Sequence, residues 1–88
     1  MKGTPVRPDP AGPEGEPLED ARGLLCPLPV IRIGMRIRTV PPGATVLLLA
    51  DDPAAEEDVR LWARSHGHEV VEVRREEGGI AVRVRRRA

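Results

Sequence analysis

The chain has no phenylalanine, no tyrosine and one tryptophan, so any core must be built from Leu, Ile and Val. At 88 residues, with no disulfide to help, it is long enough for one small and thinly buried domain. A second cysteine is also missing. Its absence excludes an internal disulfide and a Cys-x-x-Cys redox pair, and it leaves Cys26 to act alone or with a partner. There is no run of about 18 apolar residues and no apolar segment near the start of the kind a signal peptide carries. A free cysteine without a disulfide framework fits a reducing compartment, so the expected location is the cytoplasm. An excess of one charge is lacking too, because 14 basic residues balance 14 acidic ones. No overall field drives the chain onto nucleic acid or an anionic membrane.

What is present changes along the chain. Residues 1–17 hold five of the ten prolines and three of the nine glycines, with few large apolar side chains to offset ordering entropy. They read as a flexible leader before a single domain over 18–88. Leu18 opens a short strand, and Asp20-Ala21-Arg22-Gly23 has Asp and Gly at the ends of a turn. From Cys26 to about Thr39, Val30, Ile33, Ile37 and Val40 recur at helical spacing, with Ile31 and Met35 widening the apolar arc and Arg32, Arg36 and Thr39 opposite. Gly34 costs that helix about 1 kcal/mol against alanine, which suggests close packing at that point. Pro41 stops the helix, and Pro42-Gly43 suits the centre of a type II turn.

Thr45 to Ala50 is apolar without alternation, as in a central strand. Asp52 then reads as an N-cap with Pro53 at the first helical position, and Glu56, Glu57 and Asp58 complement the helix dipole. The second helix runs to about His66 with Ala55, Val59, Trp62, Ala63 and His66 inward, and Gly67 ends it. Val70, Val71 and Val73 mark a third strand. Ile80, Val82 and Val84 alternate along a fourth, with Glu76 to Gly79 as the hairpin loop. The order is β-α-β-α-β-β. It predicts an α/β (α+β) two-layer sandwich, a mixed four-stranded sheet with two helices packed on it.

Cys26 is the residue most suggestive of chemistry. As an isolated cysteine it could be a small buried hydrophobe. However, Cys26-Pro27-Leu28-Pro29 lies where a Gly23-containing loop becomes a helix, and prolines are tolerated there because the first amides have no intrahelical partner. Cys26 is therefore expected at the N-cap, with Pro27 and Pro29 at the first and third helical positions. The amides of Leu28 and Val30 are expected to favour an anionic sulfur and lower the thiol pKa.

The other candidates are weaker. His66 and His68 lack a second ligand cluster and suit a helix end better than a metal. Asp51 and Asp52 could pair as acid and base, but capping accounts better for Asp52. Trp62 fits the core. Arg83, Arg85, Arg86 and Arg87 are expected on a solvated edge strand and tail, with RNA binding as the alternative function. Haem ligation by a Cys-Pro thiolate is a third possibility, although no cofactor is expected.

The pattern Asp20-x-x-Gly23-x-x-Cys26-Pro27-x-Pro29, followed by Pro42-Gly43, Ala50-Asp51-Asp52-Pro53-Ala54 and Gly67-His68-Glu69-Val70, resembles the TusA/SirA family of small sulfur carriers over about residues 18 to 86. The resemblance implies that Cys26 accepts sulfane sulfur as a persulfide and passes it to another protein. It implies a protein donor, a cysteine desulfurase or a rhodanese-like protein, and a protein acceptor. In relatives the sulfur goes to tRNA thiolation, molybdenum-cofactor assembly or sulfur oxidation. Some members carry another cysteine in the second helix, where this chain has none, so an internal disulfide cycle is excluded.

Overall fold

The structure, a computed structural model, describes Pro13 and residues 15–88. Its elements follow the expected order: β1 (Leu18–Asp20), α1 (Leu28–Ile37), β2 (Thr45–Ala50), α2 (Ala55–His66), β3 (Glu69–Glu76) and β4 (Gly79–Arg85). They form a two-layer sandwich whose four-stranded sheet has the spatial order β1-β2-β4-β3. β1 runs parallel to β2, whereas β4 is antiparallel to both β2 and β3. Both helix crossovers therefore leave from the same end of the sheet, so the β1–α1 and β2–α2 loops lie side by side. That adjacency makes the site.

Every residue of β2 is buried, as its unbroken apolar run requires. The main core joins Ile33 and Ile37 of α1, Val59 of α2, Val46 and Leu48 of β2, and Val82 and Val84 of β4. The opposite face of the sheet has a smaller cluster of Leu47, Leu49 and Ala81. Two glycines supply the turns that the sequence indicates. Gly43 has φ of 92°, with the Ala44 amide donating to the Pro41 carbonyl at 3.0 Å, and Gly67 closes α2 in the left-handed region at φ 76°.

Several expectations need correction. Helix α1 ends at Ile37 rather than Thr39, and Ile31 and Met35 are exposed instead of joining the apolar arc of the core. Arg32 and Arg36 turn back to Glu19 on β1, at 2.6 and 3.0 Å, which keeps that buried carboxylate paired. Helix α2 begins at Ala55 with Ala54 at its N-cap. Asp52 heads the preceding turn instead, its Oδ1 accepting from the Ala54 amide at 2.9 Å. His66 is exposed and not inward, with its Nδ1 3.0 Å from the Trp62 carbonyl. The hairpin turns on Glu77 and Gly78 alone, since Glu76 and Gly79 already pair.

The largest correction concerns the arginine-rich end. β4 is an inner strand, and the sheet edges are β1 and β3. Arg83 is 7% exposed, and its guanidinium bonds Glu16 through Nε at 2.8 Å and also bonds Glu72. Arg85 and Arg87 share Glu69, while Arg86 donates to the Val40 carbonyl at 2.6 Å. Arg83 is thus buried on an inner strand and Arg86 ties the chain end to Val40, whereas Arg87 stays exposed on the tail as expected.

The leader boundary moves as well. Glu16 accepts from Thr45 Oγ1 at 2.5 Å, and the Leu47 amide donates to the Pro17 carbonyl at 3.0 Å. Glu16 and Pro17 therefore belong to the folded unit, extending the β1–β2 ladder by one bond. Of the remainder of the expected leader, residues 1–12 and Glu14 lie outside the described residues.

Candidate functional site

The site lies where the β1–α1 and β2–α2 loops meet. The first turn is Ala21 to Leu24, one residue later than the sequence suggests. The Leu24 amide donates to the Ala21 carbonyl at 3.2 Å, and Gly23 holds φ of 84° at the third position. Asp20 accepts from the Arg22 amide at 3.1 Å and from its guanidinium at 2.9 and 2.7 Å, so that the turn is braced from within. The positive φ of Gly23 aims its amide at the other loop, where both oxygens of Asp51 accept it at 3.0 and 3.1 Å. The Cys26 amide makes the second tie, donating to Asp52 Oδ2 at 2.5 Å. Asp51 and Asp52 thus act together as backbone clamps, and the structure gives them no acid and base arrangement.

Cys26 itself is exposed and is a free thiol. It is not the N-cap. Pro27 holds that position, Leu28 and Pro29 are the first two helical residues, and the Cys26–Pro27 peptide is cis. The first helical bond runs from the Ile31 amide to the Pro27 carbonyl, at 3.1 Å. The Leu28 amide, expected to face the sulfur, is taken by the Leu25 carbonyl at 2.8 Å. Pro29 is buried and Val30 packs half-buried against the core, so these two anchor the helix start while Cys26 stays outside it.

The sulfur has a different partner. Cys26 Sγ donates to Asp58 Oδ2 at 2.8 Å. Together with desolvation and the charges of Asp58 and Asp52, that bond holds the thiol pKa above its ordinary value. The expected lowering by the helix N-terminus is therefore overturned. A carboxylate within hydrogen-bond reach outweighs a terminal dipole worth about half a charge when the sulfur lies one residue before the cap. Asp52 is held on the acid side of the usual carboxylate range by the Ala54 and Cys26 amides.

Asp58 is the site residue that sequence reasoning missed, since its place in the first turn of α2 suggested only a dipole complement. The parallel pairing of β1 and β2 was the available signal, because it sets the starts of α1 and α2 at one sheet end. Leu25, next to the thiol in sequence, is 71% exposed, and Leu28, Ile31 and Met35 of α1 are exposed as well. The other candidates lie elsewhere. Trp62 packs partly buried near Gly34, with the His66 and His68 rings tilted against it at 5.8 and 5.3 Å. His68 Nδ1 accepts from the Arg87 amide at 3.2 Å, and burial lowers the pKa of that ring. Among the described residues no group of three or more His, Cys, Asp or Glu could hold a metal ion, and no helix is long and apolar enough to cross a membrane.

Fold and site together define a class: a small α/β sandwich that displays one thiol where two helices start from the same sheet end. Residues 20–86 match the family described as Sulfurtransferase TusA. A putative sulfur carrier protein of Archaeoglobus fulgidus is 38% identical over 58 residues, covering 66% of this chain and 80% of that protein. The sulfur carrier protein TusA of Pseudomonas paraeruginosa is 35% identical over 69 residues, covering 78% of this chain and 87% of the relative. The crystal structure of a SirA-like protein from Desulfitobacterium hafniense superposes with a TM-score of 0.65 at 25% identity, covering 77% of this chain and 92% of the other. The chain belongs to the TusA family of sulfur carriers.

Proposed function

We propose that this protein carries sulfane sulfur as a persulfide on Cys26, taking it from one protein and handing it to another in the cytoplasm. The observation that carries the reading is the exposed thiol of the Cys-Pro-x-Pro element, the only cysteine in the chain, at the sheet end where both helices begin. In the loading step the Cys26 sulfur attacks the outer sulfur of a donor persulfide R–S–SH. A new S–S bond forms, the donor S–S bond breaks, and the thiol proton ends on the departing R–SH. No external oxidant or reductant is required. Delivery is the same exchange with the acceptor as attacking thiol.

A protein donor, such as a cysteine desulfurase or a rhodanese-like protein, suits this surface better than a free small molecule. The thiol projects from a loop, and its sequence neighbours Leu25 and Leu28 are exposed, apolar area that a docking protein can cover. The clamps from Gly23 to Asp51 and from Cys26 to Asp52 hold the loop in one shape for docking. RNA binding loses its basis, because Arg83, Arg85 and Arg87 are paired with carboxylates.

The test is whole-protein mass spectrometry after incubation with a pyridoxal-phosphate cysteine desulfurase and cysteine. The wild-type chain is expected to gain sulfur on Cys26. Cys26→Ser is expected to fold normally and gain none, since a hydroxyl can keep the bond to Asp58 but cannot form a persulfide. Sulfur on the serine variant, or none on the wild type, overturns the assignment.

A further inference from the structure

We propose that Asp58 governs the proton of Cys26, keeping the resting protein a guarded thiol. The sulfur donates to Asp58 Oδ2 at 2.8 Å, while the amide of the same cysteine is fixed to Asp52 Oδ2 at 2.5 Å. Ionising the thiol would remove the donor from the first contact and leave two negative atoms at hydrogen-bond distance, so the protonated form is favoured. The raised pKa of Cys26 has the same leading cause.

The charged groups acting on the sulfur come from two elements, Asp58 from α2 and Asp52 from the β2–α2 loop. Neighbouring charges are engaged elsewhere: Asp51 takes the Gly23 amide, and Arg22 pairs with Asp20. Asp58 sits on a regular helix, its own amide bonded to the Ala54 carbonyl at 3.0 Å, so its backbone is held in place. It acts through Cys26 and is a positioning residue. For a carrier the consequence is protection, because stray electrophiles and oxidants attack the thiolate and not the thiol. That consequence rests on the carrier reading, whereas the control of the proton does not.

The test compares wild type, Asp58→Asn and Asp58→Glu by iodoacetamide alkylation across the pH range and by peroxide oxidation near neutrality. In Asp58→Asn the alkylation profile is expected to move to the acid side, with several-fold faster alkylation and oxidation near pH 7. Asp58→Glu keeps a carboxylate and is expected to restore much of the wild-type profile. A purely structural Asp58 would leave the pH midpoint unmoved. Superimposed wild-type and Asp58→Asn profiles, or Asp58→Glu behaving like Asp58→Asn, overturn the proposal.

A direct measurement on the wild type guards against a misfolded variant. Thiolate ultraviolet absorbance is expected to titrate with a midpoint above the free-cysteine value of about 8.5. A midpoint at or below that value also overturns the proposal. Sulfur acceptance enters none of these readouts, so a chain that shows the shifts but takes no sulfur loses the carrier reading and keeps Asp58 in its role.

Discussion

Cys26 shows how far one residue's chemistry depends on which neighbour comes nearest. Placement next to a helix start argues for an easily ionised thiol, but the sulfur lies one residue ahead of the cap and meets Asp58 first. The sign of the pKa shift follows the shorter interaction. Gly34 offers a similar local test. A methyl group added there would lie 3.5 Å from Trp62 Nε1, which is ordinary van der Waals contact. The position is near a neighbour without being closed by it. Gly34→Ala is therefore expected to stabilise the fold by up to about 1 kcal/mol, the helix-propensity difference, read as a higher urea midpoint. A lower midpoint would show that the Trp62 contact leaves no room for the methyl.

Among the elements, the end of β2 and the start of β4 are coupled by a glycine that cannot be replaced so easily. Gly79 has φ of 136°, and a Cβ there would lie 2.3 Å from the Ala50 carbonyl oxygen and 3.1 Å from the Asp51 Cα. Both obstacles are backbone atoms, so relief requires the strand itself to move. The segment that would move leads directly into Asp51 and Asp52, which hold the Gly23 and Cys26 amides. Gly79→Ala is expected to cost about 2 kcal/mol or more in urea denaturation and to change the Cys26 alkylation rate, although residue 79 makes no contact with the sulfur. Unchanged stability and reactivity would show that β4 absorbs the methyl without disturbing β2.

At the scale of the molecule, the longest-range side-chain tie among the described residues joins Glu16 to Arg83, and Glu16 also bonds Thr45, linking the segment before β1 to the two inner strands. Both ionic side chains are nearly buried, at 9% exposure for Arg83 and 6% for Glu16. Removing one partner leaves the other partly uncompensated in a poorly solvated place. Glu16→Ala is expected to lower stability by about 1–3 kcal/mol, and deletion of residues 1–17 by at least as much. A truncated chain as stable as the full one would return Glu16 and Pro17 to the leader.

Much of this was legible in the chain. Apolar spacing at Ile33 and Ile37, the unbroken run of β2, alternation along β4 and the glycines at 43 and 67 gave the elements and their order, because side-chain periodicity and backbone sterics act within a few residues. The Cys-Pro-x-Pro element likewise singled out Cys26 and located it at the start of a helix. Other features depended on strand order and on which side chains meet across the two loops, which local pattern does not encode. These placed β4 inside the sheet, gave Arg83 the carboxylates of Glu16 and Glu72, and set Asp58 against a thiol 32 residues away in sequence. The sequence by itself determined that the chain's one thiol would stand beside a helix start. Only the tertiary structure decided that a carboxylate would meet it there, since electrostatic environment follows distance in space rather than along the chain.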